Sequence, residues 1–221
     1  MKWRVALIDS AGAWPGAVDA AAFVAEGGRV ASRATVADPS GHGSRIAGLW
    51  AGVVDFELLL GQVFVEAGAT SGAAVAAAID WAVGRGADLI HMSLGLAADR
   101  AVLGAAVGRA VQSGCIIAAS TPARGGPVYP AGYAQVIRGT GDARCSGGEL
   151  SWLGAGLFGG CPRFAEDVGG VGARMGGGAS AGAAWVTRKI MGGPKYESVN
   201  ALVAALSDGA RYRGPERRGR Q

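Results

Sequence analysis

Apolar runs alternate with helix-like segments along most of the chain. The clearest helix pattern covers residues 70–86, where Val75, Ile79 and Val83 recur every four residues and glycines follow. Short, continuously apolar runs such as residues 4–8 and 115–120 are typical of strands buried on both faces. Strands and helices that alternate in this way predict an α/β fold with a mostly parallel sheet flanked by helices.

The same patterns give approximate bounds for each element. The predicted strands are residues 4–8, 29–36, 56–65, 87–95, 115–120 and 134–141. The predicted helices are residues 16–28, 44–53, 70–86, 101–114, 180–191 and 196–208. Residues 120–178 are rich in Gly and Pro and predict loops with short strands. We expect a single compact domain over residues 1–210.

The positive charge of the chain is local. Residues 211–221 contain five Arg and one Glu, which accounts for the whole net charge of +4. The first 210 residues are therefore neutral, and the sequence predicts no nucleic-acid-binding face. We interpret residues 211–221 as a basic, disordered tail; contact with an acidic partner is the alternative.

Cysteine usage and the amino terminus bear on the cellular location. The three cysteines are odd in number and lack CxxC spacing, so they predict neither a disulfide framework nor a zinc site. The start of the chain lacks the apolar region of a signal peptide, and no run is long enough for a membrane span. We expect a cytoplasmic protein without a metal or other cofactor, and the oligomeric state stays open.

Three polar residues stand where an α/β sheet presents chemistry. Asp9 ends the first predicted strand, and His42, one of only two histidines, lies between two glycines at the start of a helix. Ser180 follows three glycines at the start of another helix, where a plain N-cap is the simpler reading of a single serine. Together, however, a carboxylate, an imidazole and a hydroxyl are the groups that activate a serine nucleophile.

Five segments of the sequence resemble motifs of the subtilisin-like serine proteases, and they occur in the order found in that family. The segments "VALIDSAG", "GHGSRIAGLWAG" and "GGGASAGAAWVTRKI" resemble the family's aspartate-, histidine- and serine-containing motifs, in that order. Two further segments, "AAAIDWAVGRGADLIHMSLG" and "VYPAGYAQVIRGTG", resemble the stretches that lead into and follow the substrate-binding region. The resemblance covers roughly residues 3–192.

The resemblance implies a three-layer subtilisin-like fold and a serine endopeptidase. It places Asp9, His42 and Ser180 in a catalytic triad that cleaves a peptide bond through an acyl-enzyme. It also implies that a peptide or protein substrate pairs with the backbone of Ser93, Leu94 and Gly95 as an added strand.

The segment that resembles the oxyanion loop departs from the family pattern. The family uses an asparagine side chain there, but residues 118–126 contain none, and the chain's single asparagine is Asn200. We predict that the hydroxyl of Ser120 or Thr121 replaces it, with the backbone N–H of Ser180 as the second donor.

The resemblance, combined with the chain's compact size, suggests a dedicated processing protease that removes a leader peptide from a precursor and folds without a pro-domain. The serious alternative is a catalytically weak or inactive relative that binds peptides as a chaperone or assembly factor. The missing asparagine favours the alternative, and retention of all three triad residue types favours the enzyme.

Other motifs carry less weight. "GASAG" (178–182) fits the nucleophile elbow of α/β-hydrolases, but in that fold the histidine follows the serine, whereas both histidines here precede Ser180. "GAGLFG" (154–159) fits a dinucleotide-binding pattern that a glycine-rich chain produces by chance. We interpret His91, in a predicted buried strand, as structural; a second catalytic histidine is the alternative.

Overall fold

The computed structural model describes residues 2–53, 56–66, 69–164 and 177–216. The strands in this part of the chain are β1 (Trp3–Asp9), β2 (Ala17–Glu26), β3 (Arg29–Arg33), β4 (Phe56–Gln62), β5 (Leu89–Met92), β6 (Ile116–Ser120), β7 (Ile137–Gly141), β8 (Leu150–Gly154), β9 (Leu157–Gly160) and β10 (Tyr212–Arg213). The helices are α1 (His42–Trp50), α2 (Gly72–Gly84), α3 (Ala101–Gln112), α4 (Gly178–Met191) and α5 (Val199–Asp208).

All ten described strands join in one sheet, in the order β10-β8-β9-β7-β6-β5-β1-β4-β2-β3. Its centre is parallel, with β1 between β4 and β5 and with β6 and β7 continuing in the same direction. Antiparallel pairing occurs between β2 and β3 and between β8 and β9, near the two edges. The predicted α/β fold with a mostly parallel sheet is confirmed.

The two faces of the sheet are covered by different helices. Along β1, Ala6 and Ile8 pack into the core formed with α2 and α3, whereas Val5 and Leu7 pack into the core shared with α1, α4 and α5. Alternate side chains of a strand point to opposite faces, so the continuous apolar runs serve both cores. The same alternation directs Asp9, at the end of β1, toward the face covered by α1 and α4.

Residues 16–28 are a strand and a turn, so the predicted helix there is wrong. β2 lies between β4 and β3, and its buried residues are the consecutive Ala21, Ala22 and Phe23. Gly27 and Gly28 have positive φ angles of 53° and 78° and form the two-residue turn into β3. This conformation joins antiparallel strands, which explains why the glycine pair ends a strand rather than a helix.

The predicted disordered tail is also wrong for its first residues. β10 lies within it and pairs in parallel with β8, and Arg211 and Gly214 donate backbone hydrogen bonds to β8. The Arg144 guanidinium, held by Asp142, donates to the Gly214 carbonyl at 2.8 Å. Residues 217–221 of the predicted tail lie outside the described residues.

No helix in the described part of the chain is both long enough and apolar enough to cross a bilayer.

Candidate functional site

A buried carboxylate and a half-exposed imidazole meet at the carboxyl end of β1. Asp9 is 1% exposed, and its Oδ1 lies 2.7 Å from Nδ1 of His42, whose side chain is 33% exposed. The same oxygen accepts hydrogen bonds from the backbone N–H and the hydroxyl of Ser10. A carboxylate at Nδ1 fixes the ring orientation and leaves Nε2 as the nitrogen that can take a proton.

The glycines around His42 have separate structural roles. Gly41 adopts a left-handed conformation with φ of 68° directly before α1. A Cβ on Gly43 would lie 2.4 Å from the backbone nitrogen of Ala11, so only glycine allows α1 to approach the end of β1 this closely. The N–H of Gly43 also donates to Ser10 Oγ at 2.9 Å. These contacts hold His42 beside Asp9.

Asp38 closes the loop that leads into α1. Its carboxylate accepts backbone hydrogen bonds from Gly41 and Ser44, as well as the Ser44 hydroxyl at 2.7 Å. The sequence analysis missed this role, although an aspartate shortly before a helix start is a known capping signal.

The charges near His42 shift its proton affinity. Partial burial lowers the pKa of His42, but the hydrogen bond and charge of Asp9 and the more distant charge of Asp38 outweigh this and raise it above 6.5. The charge of Arg45 acts in the opposite direction. The ring is therefore a stronger base than a free imidazole.

Ser180 lies at the start of α4 and contacts the end of β5. Its hydroxyl donates to the Ser93 carbonyl at 3.5 Å, and the Ser93 hydroxyl donates to the Ser180 carbonyl at 3.3 Å. The Ser180 N–H precedes the first helical hydrogen bond, which runs from Ala181 to Gly177. It belongs to the first turn, where N–H groups have no partner within the helix.

Two of the predicted triad residues are thus in direct contact, and the third is joined to the site through Ser93. Within the described residues, the hydrogen bond of the Ser180 hydroxyl goes to Ser93 rather than to the His42 ring. Catalytic hydrogen bonds are often long or misaligned without substrate, so this arrangement does not exclude Ser180 as nucleophile.

An open cavity of about 470 Å³ runs from this site along the segment that follows β5. Asp9 and His42 line it, as do Ser93, Leu94 and Gly95, the predicted substrate-binding residues. The remaining lining residues are Ser10, Pro39, Ser40, Phe64, Glu66, Ala69, Thr70 and Leu96. The cavity combines polar side chains with apolar walls, as peptide-binding clefts do.

The predicted oxyanion residues lie at the end of β6. Ser120 pairs with Gly139 of β7, and a Cβ on Gly139 would collide with Ala183 in α4. The end of this strand pair therefore lies against the helix that carries Ser180. The N–H of Thr121 donates to the Gly139 carbonyl at 2.8 Å, so its hydroxyl is the group left to act as a donor.

His91 is buried, as interpreted, and both of its ring nitrogens are hydrogen bonded. Nδ1 lies 2.7 Å from the Thr187 hydroxyl, and Nε2 lies 2.8 Å from the Ser93 hydroxyl. Burial, with a smaller contribution from the charge of His42, lowers the pKa of His91 to about 3, so the ring is neutral. Sequence reasoning missed the partner Thr187, which lies 96 residues away on α4.

The part of the chain that the structure describes contains no group of three or more His, Cys, Asp or Glu placed to hold a metal ion.

The chain is similar in sequence to several curated proteases. It is 32% identical over 120 residues to a thermostable alkaline protease of Halalkalibacterium halodurans. This alignment covers 49% of the chain and 33% of that protein. It is 31% identical over 137 residues to subtilisin DY of Bacillus licheniformis. This alignment covers 54% of the chain and 50% of that protein. The chain thus spans half or less of the length of these relatives. No protein-family model matches it.

A solved structure shares the fold. The crystal structure of a lanthipeptide protease superposes with a TM-score of 0.51 and 20% sequence identity, over 63% of the chain and 48% of that protein. This likeness concerns the backbone arrangement of sheet and helices.

Proposed function

We propose that this chain, a relative of the subtilisin-like serine proteases, is a serine endopeptidase in which Asp9, His42 and Ser180 form the catalytic triad. The observation that carries the proposal is the 2.7 Å contact between Asp9 Oδ1 and His42 Nδ1 at the head of the cavity. The sequence similarity to alkaline proteases and subtilisin supports the same reading.

In this proposal His42 acts first as base and then as acid. Nε2 takes the proton of the Ser180 hydroxyl while Oγ attacks the carbonyl carbon of the scissile peptide bond, and Asp9 stabilises the imidazolium that forms. The imidazolium then returns the proton to the leaving amine as the C–N bond breaks, which leaves an acyl-enzyme. Water, activated by the same nitrogen, hydrolyses the ester and frees Ser180.

The tetrahedral intermediate needs hydrogen-bond donors for its oxyanion. The Ser180 N–H belongs to the first turn of α4, where N–H groups have no helical partner and favour negative charge. We assign the second donor to the hydroxyl of Ser120 or Thr121, because the end of β6 lies beside α4. A hydroxyl reaches less far than an asparagine amide, so a slower enzyme than a typical family member is expected.

The segment Ser93–Leu94–Gly95 is proposed to bind the substrate backbone. Its residues line the cavity, and directly beyond them Leu96 exchanges two backbone hydrogen bonds with Tyr129, at 2.8 and 2.9 Å. This pairing fixes the far end of the segment. An extended peptide laid along it would form an added strand, with its side chains alternately in the cavity and in solvent.

The natural substrate is proposed to be a precursor whose leader peptide is removed inside the cell. The structural likeness to a lanthipeptide protease agrees with such a role. A narrower candidate is the small subtilase that trims the crosslinked γ-subunit of quinohemoprotein amine dehydrogenase, because the missing oxyanion asparagine suits a protease dedicated to one modified precursor. The three cysteines are all buried and unpaired, in agreement with a cytoplasmic setting.

Labelling with a fluorophosphonate probe tests the enzyme reading. The probe forms a covalent bond with an activated serine, so the wild-type protein should be labelled and Ser180→Ala should not. His42→Ala should lower the labelling rate by at least about 10³-fold, because the base is lost. Ser113→Ala, which changes an exposed serine at the end of α3 on the opposite face of the sheet, is a suitable control with unchanged labelling.

A peptide-binding protein without catalytic activity is the second candidate. It is favoured by the missing asparagine and by the hydrogen bond that holds the Ser180 hydroxyl at Ser93 rather than at His42. Unlabelled wild-type protein that still binds precursor peptides, with Ser180→Ala binding equally well, would support this candidate against the enzyme.

A further inference from the structure

A chain of buried hydrogen bonds connects the middle of α4 to its own start by way of β5. It runs from Thr187 to His91 at 2.7 Å and from His91 to Ser93 at 2.8 Å. From Ser93 it continues to the Ser180 carbonyl at 3.3 Å. Thr187 and His91 are both 0% exposed, so no solvent molecule competes for these bonds.

Donor counting gives one set of directions that satisfies every bond in this relay of Thr187, His91 and Ser93. The Ser180 carbonyl can only accept, so its bond with Ser93 forms when the Ser93 hydroxyl donates its proton to it. Ser93 must then accept from His91, which places the imidazole proton on Nε2. The unprotonated Nδ1 accepts the proton of the Thr187 hydroxyl. The neutral ring is thus held in one tautomer and one orientation.

The relay lies between the two helices that carry the candidate catalytic groups. The ring of Trp50, at the end of α1, makes a T-shaped contact with His91 at a centroid distance of 5.1 Å and an angle of 89°. The indole N–H of Trp50 donates to the Ala184 carbonyl in α4 at 3.0 Å. His91 is therefore in contact with α1, with α4 and with the strand that ends at the substrate-binding segment.

The relay ends at Ser180, the candidate nucleophile, through two hydrogen bonds with Ser93. The Ser93 hydroxyl donates to the Ser180 carbonyl, and the Ser180 hydroxyl donates to the Ser93 carbonyl at 3.5 Å. Two reciprocal bonds then set the distance between the start of α4 and the end of β5. A displacement of about 1 Å at a reacting atom can cost 10²-fold in rate, so this distance is critical for catalysis.

We propose that His91 is a positioning residue that acts through Ser93 to hold Ser180 in register with His42 and the substrate-binding segment. This inference rests on the proposed function, because it assigns a role in setting the geometry of Ser180 as nucleophile. His91 itself transfers no proton and touches no substrate.

A matched pair of substitutions separates positioning from simple stability. In His91→Gln the side-chain amide nitrogen takes the place of Nε2 and can still donate to Ser93. In His91→Asn the polar atoms reach only the place of Nδ1, which keeps the Thr187 partner and loses Ser93. We expect the fluorophosphonate labelling rate of the Gln variant within about threefold of wild type, and that of the Asn variant at least tenfold lower.

Hydrolysis of p-nitrophenyl acetate adds a second readout. The Asn variant should lose kcat with KM nearly unchanged, since the defect lies in the alignment of Ser180. If His91 had only a structural role, the rates of labelling and of ester hydrolysis in each variant would fall in proportion to its loss of thermal stability. Equal rates for the folded Gln and Asn variants would therefore overturn the inference.

A second pair covers the case in which the His91 variants fail to fold. Thr187→Val removes the donor to Nδ1 and frees the ring to change tautomer, which should lower the labelling rate about threefold. Thr140→Val is its control, because Thr140 is equally buried and its hydroxyl has no hydrogen-bond partner among the described residues. Equal rates for the two valine variants would overturn the inference, whereas an unlabelled wild-type protein would overturn the proposed function itself.

Discussion

The two histidines of this chain lie on the same face of the sheet and have opposite surroundings. His42 is one-third exposed and contacts a carboxylate, so its pKa is raised above 6.5. His91 is fully buried, and this burial lowers its pKa to about 3; its two hydrogen-bond partners are hydroxyls without charge. The comparison shows that burial and the presence of a charged partner decide whether a histidine can exchange protons or serves as a neutral structural link.

Replacement of Asp9 by Asn should have the largest effect, because it gives His42 a neutral partner such as His91 has. The ring would lose the charge that stabilises its protonated form and fixes its tautomer. We expect the labelling rate of Ser180 to fall about 10⁴-fold. Asp19→Asn, which changes a surface carboxylate paired with Arg85, should leave the rate unchanged. A rate for Asp9→Asn near that of wild type would mean that Asp9 has no part in the chemistry.

The second prediction, of intermediate size, is that acid destabilises the folded protein by protonating His91. The folded state keeps His91 neutral down to about pH 3, whereas the unfolded chain protonates it below about 6.5. The contribution of the neutral ring is therefore present above pH 6.5 and is lost as the pH falls. Between pH 6.5 and 4.5 this amounts to about 2–3 kcal/mol of unfolding free energy.

Urea unfolding of wild type and His91→Gln over this range isolates that contribution, because all other groups are shared. The wild-type curve should fall more steeply toward acid, and parallel curves would contradict the buried, neutral ring. His42 contributes with the opposite sign, since its raised pKa adds stability at low pH that is lost as the pH rises through the folded-state value.

The smallest effect is expected at Arg45, whose positive charge lowers the pKa of His42. Arg45→Gln should move the pH profile of labelling to higher pH while the plateau rate stays within about twofold of wild type. The measurement is the labelling rate between pH 5 and 9. A shift toward lower pH would show that the charge environment of His42 is not the one described.

The contact between Asp9 and His42 was predictable because both residues occur in local patterns. Asp9 ends an apolar strand, and His42 stands between two glycines whose conformation and close packing the fold requires. The link between His91 and Thr187 was not predictable, since it joins residues 96 positions apart through burial that only the assembled sheet creates. Local sequence patterns predict turns and the periodicity of helices and strands, but they do not predict which distant residues pair in the folded protein.

The wrong predictions for β2 and β10 also arise where local sequence patterns are weak. β2 is alanine-rich, and three consecutive buried residues match neither the strand period nor the helix period, so alanine's helix propensity decided the prediction wrongly. The glycine pair at 27–28 was the available signal for a hairpin. β10 consists of only Tyr212 and Arg213, too short for a sequence pattern, and the distant Arg144 also donates to the segment at Gly214.

The two edge strands of the sheet have a consequence for the behaviour of the protein in concentrated solution. An open sheet edge offers unpaired backbone groups to strands of other molecules and is a starting point for aggregation. Here β3 ends the sheet with Arg29 and Arg33, and β10 ends it with only two residues, of which Arg213 lies over the Trp152 ring. Short, arginine-bearing strands disfavour such pairing, so both edges of the sheet formed by the described residues resist the addition of a strand from a neighbouring molecule.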